Sequence, residues 1–126
     1  MGTRSLLVFQ ERYGDKLLVY VIIYQQYDGY PSGVGKMIST FLKKVSLING
    51  IRGGEPDPEK IECNGFDDLV ARFIRLHKKD EPGNCYIVPE QSGYGEEFTY
   101  YVTFINGKDL SVKVNESEEM TLDQFE

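Results

Sequence analysis

The sequence has no tryptophan, a single histidine (His77) and two cysteines (Cys63 and Cys85). One histidine and two thiols cannot complete the four-ligand Cys/His set of a structural zinc site, so no metal and no cofactor are expected. Two cysteines are also too few for the disulfide framework of a small secreted domain, and the N-terminus lacks the basic-then-apolar stretch of a secretory signal. The expectation is a cytoplasmic protein with reduced thiols. The longest apolar run, Leu17 to Tyr24, falls far short of the roughly 20 residues that cross a bilayer, so a membrane is not an expected partner. Basic residues are outnumbered, 14 against 20 acidic ones, for a net charge of −6. A protein that grips nucleic acid needs a basic face to displace counterions from the phosphates, so nucleic acid is not expected either.

What is present suits one globular unit. The chain has 126 residues, 40% hydrophobic and 27% charged, and splitting them into two cores would leave each half near the limit of stability. One domain over 1–115 is expected. A tail over 116–126 follows, where Glu116, Glu118, Glu119, Asp123 and Glu126 concentrate acidity.

Ser5 to Phe9 reads as a strand, and Lys16 to Tyr24 (KLLVYVIIY) as a second, turned by Arg12-Tyr13-Gly14-Asp15 into a hairpin. Leu17 to Tyr24 is apolar at every position, which predicts a central strand buried on both faces. Covering the second face would need something beyond two helices, and a homodimer is the expectation. Val34, Met37, Ile38, Phe41, Leu42 and Val45 form the stripe of a half-buried helix, with Ser32 as its N-cap and Lys43 and Lys44 at its negative end. A second stripe runs from Phe66 through Leu69, Val70, Phe73 and Ile74 to His77 after Asn64, and Pro82-Gly83 ends it. Asn49 to Pro58 reads as an exposed loop. Three strands follow, at Cys85 to Val88, Phe98 to Ile105 and Leu110 to Val114, the last two joined by an Asn106-Gly107 turn. The order ββ-α-α-βββ predicts a two-layer α+β fold, with about five strands in a mainly antiparallel sheet and two helices packed on one face.

Chemistry is expected in the loop between the second strand and first helix, Gln26-Tyr27-Asp28-Gly29-Tyr30-Pro31-Ser32-Gly33, with Gly35 and Lys36 just beyond. A strand-to-helix loop leaves backbone amides free at the helix start, and glycines let a ligand approach them. The Lys-Ser/Thr ending of a P-loop is missing, and a tight turn explains the same glycines. Tyrosine is frequent, with nine residues, and Tyr27, Tyr30 or Tyr94 would suit stacking on a base or sugar. Asp28 is first a turn residue. Glu96 and Glu97 are adjacent strand residues that point to opposite faces. His77 reads as a core or capping residue, and no nucleophile, base and orienter fall at a convincing spacing.

Met1-Gly2-Thr3-Arg4-Ser5, followed by the Gln26 to Gly33 loop and Gly35-Lys36, resembles a family of small uncharacterised proteins of bacteria and their phages that begin GTRS and carry a YDGYP-type loop. The likeness continues through Asn49-Gly50-Ile51, Asn64-Gly65-Phe66, Tyr86 to Pro89 and Gly95-Glu96-Glu97. It implies a shared fold and no activity, and Val34 stands where a histidine often occurs. The hairpin would bring Arg4 beside Asp28, as a fixed cation for an anion or as a plain ion pair. The leading expectation is a non-enzymatic binding module for a small anionic ligand, best a nucleotide or nucleotide messenger, which a phage protein would sequester. The alternatives are a small enzyme on a phosphorylated or glycosidic substrate, using Asp28, Glu96 or Glu97, and a protein-interaction domain using the tyrosine-rich sheet face and acidic tail.

Overall fold

A computed structural model describes residues 3–48, 60–78, 82–91, 93–115 and 120–121. The Asn49 to Pro58 loop and the acidic residues expected in the tail lie outside the described residues. In chain order the elements are β1 (Ser5–Tyr13), β2 (Lys16–Gln25), α1 (Lys36–Lys44), β3 (Val45–Ile48), β4 (Ile61–Asn64), α2 (Phe66–Lys78), β5 (Cys85–Ile87), β6 (Phe98–Ile105), β7 (Asp109–Val114) and β8 (Met120–Thr121).

The fold is α+β. One sheet runs β5-β2-β1-β6-β7-β8, five strands extended by the two-residue β8, and β3 and β4 form a separate parallel pair. Four of the five pairings in the main sheet are antiparallel, but β1 and β6, at its centre, are parallel. Parallel neighbours need a long crossover, and both helices lie in the chain between these two strands.

Alternation sorts β1 between two cores. Leu7 and Phe9 face the helices, where they join Ile38, Phe41 and Leu42 of α1 and Phe66, Leu69 and Phe73 of α2. Leu6 and Val8 face the reverse side, where Ile22, Tyr24, Val88, Tyr94 and Tyr101 pack on them. The chain's own 88–97 segment therefore supplies part of the second cover. All four apolar residues, Leu6 to Phe9, are fully buried, so the strand enclosed on both faces is β1.

This corrects the expectation for β2. Ile22 and Ile23 are buried on opposite faces, yet Leu17 is 56% and Leu18 59% exposed. The physical reason is its outer neighbour: β5 pairs only with Ile23 to Gln25, so the earlier half of β2 lies at an edge. A bulge opposite Phe9 and Gln10 sets Tyr20 out of step, its hydroxyl donating to the Glu11 carboxylate and its ring edge-on to Phe66.

The first helix also starts differently from the sequence reading. Pro31–Gly35 forms a single wide π-type turn, entered from Tyr30 without a side-chain cap, so Ser32 is not the N-cap. Val45 leaves the helix with extended backbone and opens β3. The second helix is capped as its sequence suggests: Leu69 N–H reaches the Gly65 carbonyl at 3.1 Å, and Asp68 Oδ2 accepts the Asn64 N–H at 2.8 Å. Asn106 and Gly107 both take positive φ in the β6–β7 turn.

Phe73 sits at the junction of the layers, its ring 4.9 Å from Phe9 and 5.2 Å from Phe41, and almost fully buried. Phe73→Ala removes that filler from a site walled by two rigid elements. A loss of about 3 to 5 kcal/mol in urea unfolding is expected, read from the midpoint at unchanged slope.

Candidate functional site

The loop after β2 is held from several directions. Gly29 N–H donates to the Thr3 carbonyl at 3.0 Å, and the Gly29 carbonyl accepts the buried Tyr100 hydroxyl at 2.7 Å. A Cβ on Gly29 would stand 2.7 Å from Ser5 Cβ, so only glycine permits this approach. Asp28 takes φ +59, its carbonyl accepts the Val34 N–H at 2.8 Å, and its Oδ1 accepts the Tyr30 hydroxyl at 3.1 Å. Gly33 is required for a related reason, since a Cβ there would strike the Asp28 carbonyl.

These contacts alter the expected anion cradle. Gly33 N–H donates to the Tyr30 carbonyl at 2.9 Å, Val34 N–H to Asp28, and Lys36 N–H turns back on Gly33 and Pro31. Much of the amide donation at the helix start is spent within the loop. Arg4 does not join it. Strand alternation turns Ser5 toward Gly29 and Arg4 to the reverse face, where Nη1 lies 3.5 Å from the Tyr94 carbonyl. Tyr94 packs there against Tyr24, ring centroids 5.5 Å apart. Arg4 and Tyr94 thus belong together but apart from the loop. Glu96 also lies on that segment, its Oε1 accepting the Tyr94 N–H at 3.0 Å.

What the loop meets instead is the end of α2. A cleft of about 390 Å³ opens between them, walled by Gln25, Asp28, Tyr30, His77, Lys78 and Asn84 over an apolar floor of Val34, Met37 and Leu76. Gln25 organises it. Its Nε2 donates to the Tyr27 carbonyl at 3.1 Å and to Asn84 Oδ1 at 3.3 Å, which leaves Oε1 facing His77 Nε2 at 2.7 Å. An amide oxygen only accepts, so His77 Nε2 carries a proton. Nδ1 of the same ring lies 3.0 Å from Met37 Sδ, and the ring stacks on Phe73 at 5.1 Å.

Lys78 Nζ donates to the carbonyls of Gly83 (2.8 Å) and Cys85 (3.1 Å) and lies 5.9 Å over the Tyr86 ring. Gln26 completes the frame, exchanging N–H and side-chain bonds with Asn84 at 2.9 Å each. Tyr27 is exposed beside the cleft. Past Gly33 the cleft continues as a shallower groove lined by Lys36, Thr40, Phe41 and Lys44, and on the far side of α1, Pro31, Ser32, Lys36, Ser39, Thr40 and Lys43 line a second hollow.

Sequence reasoning thus found one wall of the cleft and missed the other. His77 and Lys78 looked like the basic end of a helix, and Asn84 carried no signal beyond following Pro82-Gly83. The cysteines are free thiols, Cys63 buried and Cys85 half-buried, and burial pushes both thiols up. Among the described residues no group of three or more His, Cys, Asp or Glu side chains could hold a metal ion, and no helix is long and apolar enough to cross a membrane. No protein-family model matches the chain, and neither a curated protein nor a solved structure is similar to it.

Burial holds the Tyr100 phenol neutral, raising it from 10.0 to about 12. Tyr20, raised to about 12 mainly by its bond to Glu11, behaves alike. The unfolded chain then releases protons first, so stability should fall as pH rises from about 10 to about 12. Tyr100→Phe is expected to flatten part of that fall and to cost about 1 to 2 kcal/mol at neutral pH, because the Gly29 carbonyl loses its donor. Urea unfolding at a series of pH values measures both.

Proposed function

We propose that this chain is a non-enzymatic binding module for a small anionic ligand, best a nucleotide, seated in the cleft between the Gln26 to Gly33 loop and the end of α2. The observation that carries the reading is the charge lining. In a protein of net charge −6, the cleft and its continuation gather Lys36, Lys44, Lys78 and His77 against the single carboxylate of Asp28. Its volume falls in the range of small-molecule sites, and an apolar floor with a few oriented polar groups is how such sites combine affinity with selectivity. Tyr30 at the rim offers a ring face for a base or sugar.

Such a protein would act by sequestration, in keeping with the proposed kinship to small bacterial and phage proteins that begin GTRS. The enzymatic alternative draws less support, because Asp28 is tied to Tyr30 and Glu96 serves the reverse face.

Thermal unfolding with a panel of mono-, di- and cyclic nucleotides tests the reading. At about a hundred times Kd the matching compound should raise Tm by at least about 4 °C. Since the ligand is an anion, Asp28→Asn should bind it several-fold more tightly and Lys36→Glu several-fold more weakly. No shift with any nucleotide, or the opposite order of the two variants, would remove the proposal.

A further inference from the structure

The outer edge of β2 is occupied only near its end. β5 pairs with Ile23 to Gln25, and one further bond runs from the Val88 N–H to the Ile22 carbonyl at 2.9 Å. From Val21 back to Lys16, β1 pairs on the inner side, and among the described residues no strand pairs on the outer side. A bare edge presents a row of backbone donors and acceptors to any strand that can lie beside it. Proteins guard such edges with prolines and charges, yet Leu17 to Ile22 contains neither. Its flanks are apolar and open: besides Leu17 and Leu18, Ile87 is 67% exposed, and a notch of about 390 Å³ runs between Val19–Ile22 and Ile87–Pro89.

We propose that this edge joins two copies of the chain, β2 running antiparallel to its counterpart across a two-fold axis beside Leu18, so that two sheets become one. The choice of a second copy over a foreign strand rests on charge placed at the two ends. Lys16, exposed, opens the bare stretch. Glu90, also exposed, stands beyond its other end, between Pro89 and Gln91, which line the notch. Antiparallel pairing about a two-fold sets the start of one strand beside the end of the other, so each Lys16 approaches the partner's Glu90, twice by symmetry. The leucines at positions 17 and 18 then meet their symmetry mates on the two faces of the joined sheet. The interface leaves the cleft open, so it stands or falls independently of ligand binding.

Sedimentation velocity of the full chain across a concentration series reads the dimer directly, with circular dichroism confirming that each variant is folded. Lys16→Glu and Glu90→Lys should each raise the dimer dissociation constant about tenfold or more, and the double exchange should bring it back to within about threefold of the parent. Leu18→Lys should give a monomer. A parent protein that is monomeric at every concentration overturns the proposal, as does a dimer indifferent to all three single changes. Failure of the double exchange to restore association overturns the pairing of Lys16 with Glu90. Both charged side chains are exposed, so those variants remain informative even if Leu18→Lys does not fold.

Discussion

The parallel pairing of β1 with β6 is the constraint on which the rest of this structure depends. It places the most apolar strand of the chain between two neighbours and forces a long connection, and that connection carries both helices. It also sets Tyr100, opposite Leu7 in the register, where its hydroxyl reaches the Gly29 carbonyl. Gly29 in turn lies against Thr3 and Ser5 at the start of β1. One pairing therefore decides where the helix layer sits and where the loop after β2 is anchored.

The cleft follows from that anchoring. With Gly29 pressed to the sheet, Asp28 and Tyr30 project toward the helices, and the wide Pro31–Gly35 turn carries the chain into α1 beside the end of α2. Gln25, on the last position of β2, links the loop, the 82–84 segment and His77 through one amide. A side chain with both ends committed is costly to rotate when buried, which makes the polar wall rigid. Lys78 closes the same frame by holding the Gly83 and Cys85 carbonyls.

Much of the fold was legible in the sequence. The helical stripes of Ile38 to Leu42 and Phe66 to Phe73, the alternation of Phe98 to Ile105, and the Asn106-Gly107 turn all express preferences set by residues a few positions apart. The Gln26 to Gly33 loop was legible too as a tight turn, since Gly29 and Gly33 are needed for close backbone approach. The short β3 and β4 escaped, because Val45 continues an apolar helical spacing and nothing local separates it from α1. Half of the site escaped as well. Leu17 to Ile23 and Leu6 to Phe9 are both unbroken apolar runs, and composition cannot say which one is central.

By itself, then, the chain determined its elements, its α+β class and the loop around which a site is built, because helical period, strand alternation and turn chemistry act over short range. The tertiary structure alone decided that β1 rather than β2 is enclosed, that Arg4 faces Tyr94 while its neighbour Ser5 faces Gly29, and that His77 and Lys78 complete the cleft. Which face a side chain meets depends on the strand or helix that packs against it, and those neighbours are distant in sequence.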